Sequence, residues 1–120
     1  MGLQVDHLPP PIPHSDITEA IIGAAFEVHN DQKALHIELI NRGLQAERER
    51  SIKVHYKGVV IGDYADLLVE EVVLVELKAA NEYDPRDEAQ VLNELKATGL
   101  KVGLLINFGR TKVHFKRLVF

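Results

Sequence analysis

The chain has 120 residues, of which 46% are hydrophobic and 27% are charged, and its formal net charge is −4 at pH 7. These values predict one globular domain with a core of modest size, and the negative charge argues against nucleic-acid binding by bulk charge alone. The absence of cysteine excludes disulfides and thiolate metal sites and fits a cytoplasmic location, and the chain lacks the apolar run of about 18 residues that would predict a membrane span.

The N-terminal part of the chain predicts a leader followed by two helices. Residues 1–14 are proline-rich and aperiodic, without the pattern of a signal peptide, and predict a disordered leader to a single domain over 15–120. Helical periodicity predicts a first helix over 15–30. A second helix is predicted over 32–44, where Gly43 is a natural C-terminal cap.

Three strands are predicted next, because the hydrophobic period falls to two. The first two, over 51–58 and 59–70, would join through a hairpin turn at Lys57–Gly58. The third, over 71–80, would follow a turn at Glu70–Glu71.

The last part of the chain predicts one helix and two strands. The helix over 84–99 would start near an Asp-Pro pair and end at Gly99. The strand over 100–109 is apolar on both faces, and the strand over 112–120 is expected at a sheet edge. A strand–helix–strand passage predicts a parallel pair, whereas the hairpins are antiparallel. The order α-β-β-β-α-β-β therefore predicts an α/β fold with a mixed β-sheet and flanking helices.

Charge is distributed unevenly along the chain. Six of its fourteen Lys and Arg residues, and none of its eighteen acidic residues, lie from Lys96 onward. Such a basic quarter beside an acidic body can seat a phosphate backbone. The alternative is a set of solvated lysines on an edge strand.

Charged residues interrupt the two apolar strands on either side of the Glu70–Glu71 turn. Asp66 lies in the first strand, and Glu76 and Lys78 lie two residues apart, and so on one face, in the second. A two-residue turn would pair Asp66 with Val75, one position from Glu76. Whether the two carboxylates share a face is left open by this pattern.

Charges buried in a sheet cost several kcal/mol per ion unless partners compensate them. A Glu–Lys pair leaves the second carboxylate repelled by the first. Mg²⁺ would resolve this, because it accepts one or two carboxylates, here Asp66 and Glu76, and recruits phosphate oxygens. Lys78 would then assist the attacking water or stabilise the developing charge. The alternative is an ion pair at the end of a strand, without a metal.

Three segments resemble a known family: "ADLLVEEVVLVELKA", "AQVLNELKATGLKVGLLINFG" and the closing "KRLVF". They are similar to the GxxExxY family of the PD-(D/E)XK nuclease superfamily, and "EAIIGAAFEVH" resembles the first helix of that family. The resemblance covers roughly residues 17–120. It implies a restriction-endonuclease-like α-β-β-β-α-β core and Mg²⁺-dependent phosphodiester cleavage.

The resemblance also implies site residues. Asp66, Glu76 and Lys78 match the aspartate, the acidic member and the lysine of the nuclease motif. Gln90 matches a helix glutamine that faces the site in related nucleases.

The chain departs from the family pattern upstream of this motif. The glycine, glutamate and tyrosine segment expected after "EVH" is missing, and with it a first-helix glutamate that can be a further metal ligand. Glu27 and Glu38 are the candidates to substitute for it. One residue fewer lies between Tyr64 and Ala65 than is usual in the family, which would shift the alternation upstream of Asp66.

For four other side chains, the sequence leaves two structural interpretations open. Gln90 and Glu94, four residues apart, would share a helix face, which either meets the sheet or faces solvent. Glu94, moreover, stands where the family often has an aromatic residue. Tyr83 and Phe108 could stack on a nucleobase, although core packing is the stronger expectation for Phe108.

Two functions remain as hypotheses. The first is a Mg²⁺-dependent nuclease, with Mn²⁺ as a substitute, that hydrolyses DNA or RNA through Asp66, Glu76, Lys78 and Gln90. The second is a catalytically degenerate module that binds nucleic acid or a protein partner. A shortened first layer would expose apolar surface and favour a homodimer, and no membrane partner is expected.

Overall fold

A computed structural model describes residues 12–28 and 32–120, which form one five-stranded sheet with three helices. Residues 1–11 of the predicted leader lie outside the described part of the chain. Within that part, no helix has the length and apolar character needed to cross a membrane. The elements in chain order are α1 (Ser15–Val28), α2 (Gln32–Asn41), β1 (Ala46–Tyr56), β2 (Val59–Val69), β3 (Val73–Lys78), α3 (Pro85–Thr98), β4 (Val102–Phe108) and β5 (Val113–Val119).

The strands lie in the order β1-β2-β3-β4-β5. Neighbouring strands are antiparallel except β3 and β4, which are parallel and are connected through α3. This arrangement confirms the predicted α/β fold, with a mixed sheet and flanking helices and with β5 at an edge. β1 begins five residues earlier than predicted, because its first five residues are charged or small and show no apolar alternation. α2 and β3 are shorter than predicted.

Two apolar layers form, one on each face of the sheet. The first lies between the sheet and the pair α1 and α2, and it contains Ile21, Leu35, Leu39, Leu67, Val75, Leu104 and Phe108. The second lies between the sheet and α3, and it contains Ile52, Ala65, Leu74, Val91, Leu95, Leu105 and Leu118. Since Glu76 and Lys78 alternate with the first-layer residues of β3, both face α3.

Local sequence chemistry fixes the ends of α3. The Asp84 side chain accepts a hydrogen bond from the backbone N–H of Arg86 at 2.9 Å, and Pro85 occupies the first helical position. Gly99 adopts a left-handed φ of 76° and its N–H donates to the Leu95 carbonyl at 2.9 Å. These caps match the predicted limits of the helix.

The register between β2 and β3 differs from the predicted one by one residue. Val69 pairs with Val73, because Val72 remains in the turn and donates its N–H to the Val69 carbonyl at 3.1 Å. The predicted pairing of Asp66 with Val75 is therefore wrong. Continuing the observed register past Leu67 places Asp66 directly opposite Glu76, and directly opposite residues of an antiparallel pair share a face.

The alternation of side chains between the two faces of the sheet is interrupted in β1 and β2 at one cross-strand position. In β2, Leu67 packs with α1 and α2, whereas Ala65 packs with α3, so the two-residue period breaks at Asp66. The register of the β1–β2 ladder places Glu49 opposite Asp66, and Glu49 has a left-handed φ of 54°. Such a backbone costs on the order of 1 kcal/mol in a non-glycine residue, and here it accompanies the rotation of both strands.

Gly103 in β4 lies directly beneath side chains of α3. A Cβ at this position would lie 2.8 Å from Cγ1 of Val91 and 3.4 Å from the Leu74 carbonyl oxygen. We expect Gly103→Ala to lower the free energy of unfolding by about 1–3 kcal/mol, because α3 must move to accept the methyl group. Urea denaturation measures this loss. Gly62→Ala in β2 is the control, since nothing lies within 4 Å of its added Cβ; equal midpoints for the two variants would contradict the prediction.

Candidate active site

Asp66 is held by the backbone of the neighbouring strand. Its Oδ2 accepts a hydrogen bond from the Leu77 N–H at 2.7 Å. The regular β2–β3 ladder ends just before this point, at the pair of Leu67 with Val75. The Asp66 carboxylate thus replaces a backbone acceptor where the strands separate, and this bond fixes its position beside Glu76.

Glu76 is a buried carboxyl group with an incomplete set of partners. Its side chain is 3% exposed, and among the described residues its Oε1 has no hydrogen-bond partner. Burial, opposed by a hydrogen bond from Glu94 and reinforced by the nearby Asp66 charge, raises the pKa of Glu76 to about 8. Near neutral pH this group therefore binds a proton readily, and a bound cation would neutralise it in the same way.

Lys78 lies at the open end of the same strand face. Its Nζ donates a hydrogen bond to Oε1 of Gln90 at 3.2 Å and lies 3.8 Å from Oδ1 of Asp87. Its side chain is 29% exposed, so the ammonium group lies between the buried carboxyl groups and solvent. The face of α3 that carries Gln90 meets the sheet, which resolves the alternative left open by the sequence.

Glu94, one turn after Gln90 in α3, is the residue whose importance the sequence pattern did not reveal. It is completely buried, and neither of its carboxylate oxygens meets a hydrogen-bond donor among the described residues. Burial, together with contacts to the carboxyl groups of Glu76 and Asp63, raises the pKa of Glu94 to about 10. Because two ionised carboxylates repel, burial of Glu94 beside Glu76 and Asp63 favours its protonated form. The sequence offered two signals, a helix face shared with Gln90 and an acid at a position where the family often has an aromatic residue.

Glu27 and Glu38, the candidates to substitute for the missing first-helix glutamate, do not lie at this site. Glu27 is exposed on α1, and Glu38 of α2 forms an ion pair with Arg42 at 3.1 Å. Both helices pack on the sheet face opposite to that of Glu76. Phe108 is buried in the layer beside α1 and α2, which excludes the base-stacking alternative for this residue.

The carboxyl groups of Asp66 and Glu76 fit a divalent cation. Within residues 12–28 and 32–120, no three His, Asp or Glu side chains are arranged to hold a metal ion together. Asp66 and Glu76 nevertheless offer two adjacent carboxylates, one of which has an oxygen without a partner. This set fits Mg²⁺, which needs only one or two carboxylates from a protein and completes its shell with water and phosphate oxygens.

Comparisons with known proteins agree with the geometry. The chain matches a family model described as PD-(D/E)XK nuclease superfamily over residues 15–118. A comparison with curated proteins found no match.

Solved structures share the fold at low identity. An alkaline exonuclease from Laribacter hongkongensis, LHK-Exo, is 14% identical with a TM-score of 0.56, over 96% of this chain and 73% of that chain. Its complex with dAMP is 17% identical with a TM-score of 0.54, over 85% and 55%. The structure of SSO0001 is 16% identical with a TM-score of 0.53, over 89% and 52%. This chain thus spans about half the length of SSO0001, and likeness at these identities concerns the fold alone.

Proposed function

Since the chain belongs to the PD-(D/E)XK nuclease superfamily, we propose that it hydrolyses phosphodiester bonds of DNA or RNA with the help of Mg²⁺, for which Mn²⁺ can substitute. The observation that carries this proposal is the placement of Asp66 and Glu76 on one face beside Lys78. Buried carboxyl groups without compensating donors are unfavourable for the fold, and a divalent cation supplies the compensation. The solved nuclease with bound dAMP shares the fold and supports a nucleic-acid substrate.

Each residue has a distinct part in the proposed reaction. Asp66 and Glu76 would hold the cation, which when bound stabilises negative charge on the phosphoryl oxygens. The Lys78 ammonium would donate a hydrogen bond to the attacking water or to a phosphate oxygen. Gln90 would position Lys78, because its Oε1 already accepts a hydrogen bond from Nζ.

The same proposal includes a relationship to one family within the superfamily. The segments around Asp66 and α3 support a relationship to the GxxExxY family, although the segment that names the family is missing from this chain. The chain would therefore bind its cation with the two strand carboxylates and without a first-helix glutamate. A homodimer remains a prediction, supported by exposed apolar side chains on α2 such as Ile37 and Ile40.

The proposal predicts cleavage that depends on a divalent cation. Labelled single- and double-stranded DNA and RNA should be cut in Mg²⁺ or Mn²⁺ and should stay intact in EDTA. Calorimetric titration of Mg²⁺ should show binding to the unmodified protein and none to Asp66→Asn. Asparagine keeps an oxygen that can accept from the Leu77 N–H, so loss of binding in this variant would reflect the lost charge and not a lost fold.

The degenerate module is the alternative outcome of the same experiment. The absence of three converging His, Asp or Glu side chains among the described residues favours it as the second candidate. Three results together would support this module instead of a nuclease. Labelled DNA or RNA would bind in EDTA, the Mg²⁺ titration would give no heat of binding, and no cleavage would occur in Mg²⁺.

A further inference from the structure

A groove runs between α3 and the hairpin formed by β1 and β2. Its volume is about 480 Å³. One wall belongs to the strands and the other to the helix, and the side chains that matter here are Val54, Ile61, Asp63, Arg86, Gln90 and Asn93. The groove therefore has walls from two different elements, and their chemistry differs.

Both walls lie on the α3 side of the sheet. Ile61 pairs with Val54 in the β1–β2 ladder, and directly opposite residues share a face. Val54 also packs against the apolar layer between the sheet and α3, which shows that this face is turned towards the helix. In α3, Arg86, Gln90 and Asn93 follow one another at spacings of four and three residues and so lie along one flank of the helix. An apolar strand wall thus faces a helix wall that carries two carboxamides.

The groove opens on the candidate active site. Gln90 in the helix wall accepts the hydrogen bond from the Lys78 ammonium group at 3.2 Å. Asp63 in the strand wall contacts the carboxyl group of Glu94, which in turn contacts Glu76. A strand of nucleic acid that lies in the groove would therefore pass the residues proposed to cleave it.

A second cavity at Lys78 suits a nucleic acid less well. It has a volume of about 460 Å³ and lies at the start of α3. Its charged lining residues are three acids and two cations: Glu82, Asp84, Asp87, Lys78 and Arg86. The excess of acids would repel the phosphates of a strand. In the groove, by contrast, the described lining residues include one acid, Asp63, and one cation, Arg86.

The two walls of the groove match the two kinds of surface that a nucleobase presents. Ile61 is 48% exposed, and apolar side chains of this kind pack against the flat faces of bases that have left a duplex. The exposed Asn93 carboxamide offers both a hydrogen-bond donor and an acceptor. The pairing edge of an unpaired base presents both kinds of group as well. A base in the groove would therefore have a partner for its face and a partner for its edge.

We propose that this groove binds an unpaired nucleobase of the strand to be cleaved, with its face against Val54 and Ile61 and its pairing edge at Asn93. This inference rests on the proposed nuclease function and names its substrate as a single strand, or a duplex with an unpaired end. In a duplex, the pairing edge is occupied by the partner strand and the faces are covered by neighbouring bases. A paired base therefore does not fit between the two walls.

Binding measured without cleavage tests the groove. Fluorescence anisotropy in EDTA would compare labelled oligothymidylate with an abasic oligomer and a blunt duplex of the same length, and oligothymidylate should bind most tightly. Asn93→Ala should weaken oligothymidylate binding about tenfold and Ile61→Ala about fivefold, and both should leave abasic binding unchanged. Ile61→Val keeps a branched apolar side chain and should bind oligothymidylate like the unmodified protein. Both side chains are exposed, so neither change should disturb the fold, which thermal melting checks.

Val60→Ala is the matched control, since Val60 is 52% exposed and adjacent to Ile61 in β2 but points to the opposite face of the sheet. The inference is overturned if neither single-stranded oligomer binds, or if the abasic oligomer or the duplex binds as tightly as oligothymidylate. Equal affinities of Ile61→Ala and Val60→Ala would overturn it too. The two proposals can fail separately. Base-dependent binding without cleavage in any cation would leave the groove and remove the nuclease, and cleavage without base dependence would do the reverse.

Discussion

Replacing Lys78 with alanine is expected to lower the rate of Mg²⁺-dependent cleavage by about 10²- to 10³-fold. The charge of the Lys78 ammonium group acts on Glu76, and this group also donates a hydrogen bond to Gln90 of α3. Without it, negative charge that develops on the phosphate during hydrolysis would lose a donor. The effect should appear in kcat, measured with a labelled oligonucleotide under saturating conditions.

Two further variants isolate the role of Lys78. Lys78→Ala should keep its Mg²⁺ binding in calorimetry, whereas Asp66→Asn should lose both binding and cleavage. Lys53→Ala, which removes an exposed lysine from β1, should cut at the unmodified rate. Full activity of Lys78→Ala would refute the assignment of this lysine, even if cleavage by the protein itself were established.

The protein is expected to lose stability as the pH rises from about 5 to about 9, and Glu94→Gln should remove about half of this loss, because Glu76 still contributes its share. The folded state keeps protons on Glu76 and Glu94 up to pKa values of about 8 and about 10, whereas both groups have a pKa of 4.5 when unperturbed. Between these limits the folded state binds more protons than the unfolded state. The contribution of these two groups to the free energy of unfolding is therefore greatest below about pH 4.5. As the pH rises, this contribution falls by up to about 1.4 kcal/mol per pH unit for each group.

Glutamine at position 94 has nearly the same shape, stays neutral and can donate a hydrogen bond to Glu76. Urea denaturation at a series of pH values should give about half the slope for Glu94→Gln that it gives for the unmodified protein, because only Glu76 then retains a raised pKa. Glu82→Gln changes an exposed glutamate near the start of α3 and should keep the original slope. A maximum of stability near pH 8 in the unmodified protein would show that the carboxyl groups are not protonated in the folded state.

Much of the fold could be predicted, because its signals are local. The Asp84 cap and the Gly99 turn determine α3 from neighbouring residues alone. The register of β3 could not be predicted, because it depends on whether Val72 joins the turn or the strand. Both choices bury valine equally well, and the sequence pattern does not distinguish between them.

The candidate site, like the fold, could be predicted only in part. Asp66, Glu76 and Lys78 were identifiable because charge is conspicuous in an apolar strand. Glu94 was not identifiable, because the rotation of α3 about its axis is set by packing with the sheet. Gly103 contributes to that packing, as it leaves room for Val91 directly above β4.

The change of face at Glu49 and Asp66 divides β1 and β2 into two segments with separate constraints. On one side of it, the strands belong to the rigid centre of the sheet and hold the acidic pair. On the other side, Ile52 and Ala65 still pack against α3, and beyond them the strands form a two-stranded ribbon that ends at Lys57 and Gly58. We expect changes of length or charge at the tip of this ribbon to leave Asp66 in place, because the Leu77 N–H of β3 holds its carboxylate. Evolution can therefore adjust the reach of the ribbon independently of the acidic pair.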